Sequence, residues 1–148
     1  MKKFSHLDEK NKAKMVNVGA KPVQKRLARA SGKIFLAQNT LKAIQKQELA
    51  KGDVLAVAKI AGIQAAKKTS ELIPLCHTLL LDNVEVNFRI DSTGITAESI
   101  VQSRGVTGVE MEALTAVSVA LLTVYDMCKA VDKNMRIGEI ILLEKTKQ

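Results

Sequence analysis

The pattern of apolar and polar positions predicts a β-hairpin in the second half of the chain. Apolar and polar residues alternate strictly over residues 84–90, which is typical of a strand with one buried face. The turn-forming sequence Asp-Ser-Thr-Gly follows at residues 91–94, and residues 95–101 have strand character again. We therefore predict two antiparallel strands joined by this turn.

Three other segments have strand patterns. Residues 15–18 alternate briefly before Gly19 and Pro22, and they predict a possible short strand. In residues 24–35, small or apolar residues alternate with Lys and Arg, which predicts a half-exposed strand broken at Ser31 and Gly32, although the alanine content leaves a helix possible. Residues 140–143 predict a last strand.

Helical patterns fill most of the remaining chain. Residues 40–49 predict a short amphipathic helix, and residues 54–72 predict a largely buried one that Pro74 ends. Asp53 is the expected N-cap of this second helix. Gly62 lies inside it at a cost of about 1 kcal/mol relative to alanine, which indicates a close helix contact. Residues 105–133 predict the longest helix, which is apolar almost all the way round.

This long helix also carries charges that a buried helix should avoid unless they are paired or used, namely Glu110, Glu112, Asp126 and Lys129. Asp126 and Lys129 are three residues apart and can touch, either as a helix-end ion pair or as a carboxylate and an ammonium that share acid–base work. Glu112 and Asp126 are separated by about 21 Å along the axis. An antiparallel pair of such helices at a two-fold interface would bring Glu112 of one chain to Asp126 of the other.

The predicted order is strand, strand, helix, helix, hairpin, helix, strand. It indicates an α+β domain in which helices pack on one face of an antiparallel sheet. A length of 148 residues fits one domain, and the polar residues 1–14, which have no periodicity, are expected to form a mobile arm.

Composition narrows the classes of partner. The formal charge of +8 favours an anionic partner: a nucleic acid, a phosphorylated small molecule or a membrane surface. Nucleic acid is the weaker candidate because aromatic residues make up only 3% of the chain and single-strand binders use aromatic platforms. The apolar runs are too short or too interrupted to span a bilayer.

The cysteine and histidine content predicts that the protein works in a reducing compartment and that it holds no metal site. Two cysteines make no disulfide framework, and the first residues do not resemble a signal peptide, so we expect a cytoplasmic protein. The two histidines permit no metal cluster at a recognised spacing. Neither a metal nor another cofactor is expected.

Two further positions have either a structural or a chemical interpretation. Cys76 and His77 follow the predicted end of the second helix, where the histidine is either structural or a titratable group at the rim of a cleft. Lys51, just before a predicted helix start, is either a solvated lysine or a ligand for phosphate. Together these signals indicate a site for an anion with acid–base chemistry.

Five blocks, in order, resemble the signatures of the cyclic pyranopterin monophosphate synthase family, also called molybdenum cofactor biosynthesis protein C. They are KGDV from residue 51, IAGIQAAK from residue 60, LIPLCH from residue 72, TGVEMEALTA from residue 107 and YDMCKAV from residue 125. The similarity extends from about residue 14 to residue 145.

The resemblance implies a ferredoxin-like subunit and a lyase of molybdenum cofactor biosynthesis. The implied reaction converts (8S)-3′,8-cyclo-7,8-dihydroguanosine 5′-triphosphate into cyclic pyranopterin monophosphate and releases diphosphate. The implied assembly is a hexamer built as a trimer of dimers, with the active site at the dimer interface. A basic nucleotide- or RNA-binding module without catalysis is the alternative.

The resemblance also implies roles for individual residues. Asp126 and Lys129 match the general acid–base pair, and Lys51 matches a catalytic lysine. Substrate-binding positions fall on Leu75, Cys76, His77, Met111, Glu112, Glu110, Lys67 and Arg26.

The sequence departs from the family pattern in three ways. Thr78 replaces a proline, which is expected to loosen its loop. Val106 replaces a basic residue, which removes one expected phosphate contact unless Arg104 supplies it. The glycine-rich tail of the family is absent, so a segment near the site is expected to be missing.

Overall fold

A four-stranded antiparallel sheet forms the centre of the structure, a computed structural model that describes residues 5–148. The strands are β1 (Gln24–Phe35), β2 (Leu81–Ile90), β3 (Gly94–Gly105) and β4 (Arg136–Lys147). Their spatial order is β2-β3-β1-β4, and every neighbouring pair is antiparallel. The predicted hairpin is confirmed as β2 and β3, although β3 is four residues longer at its end than the pattern indicated.

Four helices complete the chain: α1 (Gln38–Gln45), α2 (Val54–Lys67), α3 (Thr69–Leu72) and α4 (Glu110–Cys128). The long helices α2 and α4 pack against each other and against the sheet. The order β1-α2-β2-β3-α4-β4, with β1 and β3 at the centre of the sheet, is the ferredoxin-like arrangement. The α+β prediction is therefore confirmed.

The alternation in β1 decides which face of the sheet is covered. Ala28, Ala30 and Ile34 are fully buried, whereas Arg29 and Lys33 between them lie partly exposed. The small side chains of Ala28 and Ala30 on the buried face allow α4 to approach this part of the sheet closely.

The prediction that Ser31 and Gly32 interrupt this strand is wrong. Strand β1 runs without a break, and a Cβ atom at Gly32 would lie 2.8 Å from Val117 Cγ1 and 2.9 Å from Leu121 Cδ1. The glycine thus makes room for α4 rather than ending the strand.

The close helix contact predicted at Gly62 is confirmed. A Cβ atom at this position would lie 2.9 Å from the carbonyl oxygen of Ala116 and 3.2 Å from Ala120 Cβ, both on α4. Asp53 is also the N-cap of α2 as predicted, since its carboxylate accepts a hydrogen bond from the Ala56 N–H at 3.0 Å. The start and the middle of α2 are therefore determined by different interactions.

We expect Gly62→Ala to lower the free energy of unfolding by about 1–3 kcal/mol, because overpacking against the α4 backbone outweighs the better helix propensity of alanine. Urea denaturation followed by circular dichroism measures the change. Gln64→Ala, at an exposed position of the same helix, is the matched control and should change stability by less than about 0.5 kcal/mol. Equal stability of Gly62→Ala and the unmodified chain would contradict the packing described.

Several element boundaries differ from the sequence predictions. Helix α1 spans Gln38–Gln45 rather than residues 40–49, β4 spans Arg136–Lys147 rather than residues 140–143, and α4 ends at Cys128 rather than residue 133. Residues 15–18 form no strand and pair with none of the four strands. Helix α2 ends at Lys67, and the separate turn α3 follows it. Helix α4 begins at Glu110 rather than Gly105, because Gly105 still pairs with Gln24 in the sheet.

Helix α4 is the only helix in residues 5–148 that is long and apolar enough to cross a membrane by those two criteria. Ten of its nineteen residues are buried against the rest of the protein. This burial is what the central helix of a folded core requires, so the apolar character of α4 is explained by packing.

Candidate active site

Three charged side chains meet at the C-terminal end of α4. The carboxylate of Asp126 lies between two ammonium groups, with Lys129 Nζ 2.7 Å from Oδ1 and Lys51 Nζ 3.0 Å from Oδ2. Lys51 Nζ also donates a hydrogen bond to the carbonyl oxygen of Asp126 at 3.1 Å. The predicted contact of Asp126 and Lys129 is confirmed, and we call these three residues the lysine–aspartate cluster.

Two different parts of the chain supply this cluster. Asp126 and Lys129 lie one helical turn apart at the end of α4, so their contact follows from helix geometry. Lys51 comes from the connection between α1 and α2, two residues before the N-cap Asp53. The capping bond and a further hydrogen bond from Gln47 Nε2 to Asp53 Oδ2, at 3.3 Å, tie this connection to the start of α2, which packs against α4.

The charges of the cluster shift its pKa values in opposite directions. Hydrogen bonds from Lys129 and then from Lys51 lower the pKa of Asp126, and the bond to Asp126 raises the pKa of Lys129. Asp126 is therefore ionised and Lys129 protonated near neutral pH. All three side chains are about half exposed, so a ligand can reach them, and the cluster carries one net positive charge.

A cleft of about 430 Å³ lies near the opposite end of α4. It is lined by Ser5, His6, Val16, Val18, Lys21, Leu75, Cys76, His77, Leu79, Thr107, Gly108, Glu110, Met111 and Glu112. The His77 ring donates a hydrogen bond from Nε2 to the carbonyl oxygen of Val16 at 2.7 Å. The cleft thus brings together six predicted site residues: Leu75, Cys76 and His77 from the loop after α3, and Glu110, Met111 and Glu112 from the start of α4.

Two groups of this cleft, the Glu112 carboxyl and the Cys76 thiol, have raised pKa values. Glu112 is only 4% exposed, and burial raises the pKa of its carboxyl group, with a smaller contribution from Glu110. Burial also raises the pKa of the Cys76 thiol, and the charge of Glu112 raises it further. These shifts suit Glu112 to donating a proton and make Cys76 a poor thiolate nucleophile.

Within one chain, the structure does not bring the two groups of predicted residues together. Glu112 lies in the first turn of α4 and Asp126 in its last turn, which corresponds to about 21 Å along the helix axis. A small substrate bound in the cleft of one chain therefore does not reach the lysine–aspartate cluster of the same chain.

Arg26, Glu110 and Lys67 occupy neighbouring surfaces. Arg26 and Glu110 line a second cleft of about 270 Å³ with Lys145, whose Nζ lies 3.2 Å from Glu110 Oε1. Lys67 is not in either of these clefts but lines a third one with Thr78 and Leu79. The structure thus brings Glu110 into contact with both of the first two clefts and leaves Lys67 at their periphery.

The guanidinium of Arg26 lies beside Val106, the position where the family pattern has a basic residue. The Arg26 guanidinium donates hydrogen bonds to the carbonyl oxygens of Gly105 at 3.4 Å and Val106 at 3.3 Å. Arg104, in contrast, pairs with Asp82 at 3.4 Å on an exposed part of β3. Arg26, and not Arg104, therefore supplies the positive charge beside position 106.

Several residues of the clefts escaped the sequence reasoning. His6, Lys21 and Lys145 lie in clefts with predicted residues, but none has a neighbour in sequence that indicates a site. The nearest available signal was the unexplained basic charge of the chain, which does not identify individual lysines. Their positions depend on how the segments at both ends of the described chain run across the sheet and α4.

Comparison with known proteins shows what the chain is similar to. The profile of the MoaC family matches residues 15–148. A cyclic pyranopterin monophosphate synthase of Desulfitobacterium hafniense is 55% identical over 144 residues, which cover 97% of this chain and 88% of that protein. The synthase of the same name from Heliobacterium modesticaldum is 53% identical over 148 residues, covering 99% of this chain and 93% of that protein.

One relative is a longer protein. The molybdenum cofactor biosynthesis bifunctional protein of Chlorobaculum tepidum is 57% identical over 145 residues, which cover 97% of this chain but only 46% of that protein. The aligned part therefore corresponds to about half of the longer protein.

Proposed function

The chain belongs to the MoaC family, and from this premise we propose that it converts (8S)-3′,8-cyclo-7,8-dihydroguanosine 5′-triphosphate into cyclic pyranopterin monophosphate and diphosphate. It is an enzyme of molybdenum cofactor biosynthesis, of the lyase class. The alternative of a basic module that only binds nucleotide or RNA is not favoured, because the synthase relatives align over nearly the whole chain.

The lysine–aspartate cluster is the observation that carries this proposal. Opening the guanine-derived ring and closing the pyranopterin require proton transfers to and from carbon, nitrogen and oxygen atoms. A carboxylate held between two ammonium groups keeps both lysines in fixed positions, and it raises the pKa of Lys129, which is therefore protonated and ready to donate. Lys51 and Lys129 are the proposed proton-transfer groups, and Asp126 orients them and balances their charge.

The second part of the reaction expels diphosphate while a cyclic phosphate forms. Charge develops on the leaving phosphates, so cations fixed near them lower the barrier. Lys21 in the larger cleft, and Arg26 and Lys145 in the second, are cations on the side of α4 that holds Glu112. We assign substrate binding to this surface, with Leu75, Cys76, His77, Met111 and Glu112 around the pterin precursor and Lys67 at the edge.

An active site shared by two subunits reconciles the two ends of α4. The cleft of one chain and the lysine–aspartate cluster of the other become one site if two chains pair with their α4 helices antiparallel. We propose such a dimer as the unit of a hexamer. Exposed apolar residues support burial in an assembly, namely Leu122 on α4 and Ile140, Ile141, Leu142 and Leu143 on the edge strand β4.

An assay with authentic substrate tests the proposed function. Purified protein is incubated with the cyclic nucleotide, and product formation is followed by mass spectrometry together with release of diphosphate. We expect the two products in equal amounts. Salt-dependent oligonucleotide binding without any turnover would overturn the proposal in favour of the binding module.

Because the relatives are biosynthetic enzymes of a small molecule, we also propose a cytoplasmic location. Cell fractionation with an antibody against the chain checks it, and recovery in the membrane fraction would contradict it.

A further inference from the structure

A buried carboxylate outside the predicted site links the two segments that form the lysine–aspartate cluster. Asp132 follows α4 and is only 6% exposed. Its Oδ2 atom accepts hydrogen bonds from the Ala37 N–H at 2.8 Å and from Thr40 Oγ1 at 3.1 Å, and Oδ1 accepts one from the Asn134 N–H at 3.2 Å. The alanine at the N-cap of α1 has no side-chain acceptor, so Asp132 caps this helix from a distance.

These contacts close a ring through the active site. The turn that carries Asp132 continues α4 directly, since the Lys129 N–H donates to the Tyr125 carbonyl at 2.9 Å and the Asp132 N–H to the Cys128 carbonyl at 3.0 Å. Asp132 then holds the start of α1, and the segment after α1 returns to α4 through the contact of Lys51 with Asp126. The exposed lysine–aspartate cluster and the buried Asp132 are the two points at which the segment of α1 is tied to the segment of α4.

The geometry of α1 explains how Asp132 controls the position of Lys51. Helix α1 is a rigid element of eight residues, about 12 Å long. A small tilt at its start therefore moves the connection that carries Lys51 at its other end. The exposed contacts of Lys51 are too weak to resist such a tilt, whereas the start of α1 is fixed by hydrogen bonds to the buried carboxylate of Asp132.

Asp132 is suited to this task because its own charge needs no cation. Within residues 5–148 no lysine, arginine or histidine lies within salt-bridge distance of it. Burial opposes its ionisation, but the bonds from Ala37, Asn134 and Thr40 outweigh burial and lower the pKa of the carboxyl group. The carboxylate thus stays ionised and bonded to backbone and hydroxyl groups over the working pH range.

We propose that Asp132, with Thr40 as its partner, is a positioning residue that fixes Lys51 against Asp126 and Lys129 for proton transfer. The inference rests on the proposed function. It assigns to Asp132 no contact with substrate, only control over the distance between the catalytic groups.

Steady-state kinetics of four variants test the proposal. Asp132→Ala removes all three accepted bonds, and we expect kcat to fall by about 10–100-fold while KM changes less than about threefold, because misplacing a catalytic group by an ångström has this cost. Asp132→Asn retains an acceptor for Ala37 and should recover part of the loss. Thr40→Val removes one bond and should lower kcat by about 3–10-fold, whereas Thr40→Ser keeps the hydroxyl and should resemble the unmodified chain.

A stability-matched control separates positioning from general destabilisation. Val86 lies on β2 and is fully buried in the hydrophobic core. Val86→Ala creates a cavity there, so it should lower Tm while kcat per folded molecule stays unchanged. The pH profile gives an independent readout. Since the hydrogen bond from Lys51 lowers the pKa of Asp126, displacement of Lys51 in Asp132→Ala raises that pKa and shifts the acid limb of kcat to higher pH, and Val86→Ala leaves that limb in place.

The outcomes distinguish the two levels of inference. If the unmodified chain forms no product, the proposed function fails before Asp132 is considered. If the unmodified chain is active, and Asp132→Ala loses stability but keeps its kcat and its pH profile, Asp132 is only structural and the positioning role is overturned. An equal loss of kcat in Val86→Ala would overturn it as well.

Discussion

Asp126→Asn is expected to lower kcat/KM by about 10³-fold, which is within the range that general acid–base groups contribute. The substitution keeps the size of the side chain but removes the charge that separates two ammonium groups. Lys51 and Lys129 then repel each other and lose their common acceptor. Steady-state measurement of product formation on the unmodified chain and the variant gives the change directly.

The pH dependence of the residual activity of Asp126→Asn tests the cause of this loss of kcat/KM. Asp126 raises the pKa of Lys129, so in Asp126→Asn the pKa of Lys129 falls and the lysine loses its proton at lower pH. The alkaline limb of the residual activity should shift in the same direction. An unshifted limb would mean that Asp126 does not control the protonation of Lys129.

Asp91→Asn is the matched control for this experiment. Asp91 also pairs with a lysine, since Lys33 Nζ lies 2.6 Å from Oδ2, but it lies at the turn between β2 and β3. We expect turnover to change less than twofold (about the scatter of such measurements). Full turnover in Asp126→Asn, or equal losses in the two variants, would refute the assignment of the cluster as catalytic.

Mixing two inactive variants is expected to restore activity if the site is shared between subunits. Chains with Glu112→Gln lack a group of the cleft, and chains with Asp126→Asn lack a group of the cluster. After unfolding and refolding together in equal amounts, about half of the dimers are mixed, and each mixed dimer has one intact site of two. Activity should therefore recover to about one quarter of that of the unmodified protein.

A second mixture serves as the control. Asp126→Asn and Lys129→Ala both damage the lysine–aspartate cluster, so every site in a mixed dimer keeps one defect and no recovery is expected. Affinity tags of two kinds on the chains confirm that mixed dimers form. Mixed dimers without recovery in the first mixture, or recovery of the same size in both mixtures, would exclude a site built from the cleft of one chain and the cluster of the other.

Much of the fold could be predicted because it depends on neighbours in sequence. The alternation in residues 84–90 determines which side chains of β2 can face a core, and the turn residues that follow determine the hairpin. The contact of Asp126 with Lys129 is likewise local, since three residues on a helix make one turn. These features need no knowledge of the rest of the chain.

Predictions failed where packing overrides local preference. Gly32 is a typical strand breaker, but in β1 it is the residue that lets Val117 and Leu121 of α4 approach the sheet. The alternation at residues 15–18 is adequate for a strand, but the segment pairs with no strand of the sheet, and Val16 instead accepts a hydrogen bond from His77. The outcome in both cases depends on a partner far away in sequence.

The sequence alone determined the types of element, the hairpin, the ion pair at the end of α4 and, through five motif blocks, the family. Only the tertiary structure decided that Lys51 joins Asp126 across 75 residues, and that Asp132 caps α1 across 95. It also decided that His77 and Glu112 share a cleft at the far end of α4. The reason is physical: contacts along one helix or hairpin are fixed by backbone geometry, whereas contacts between elements exist only after the core has packed.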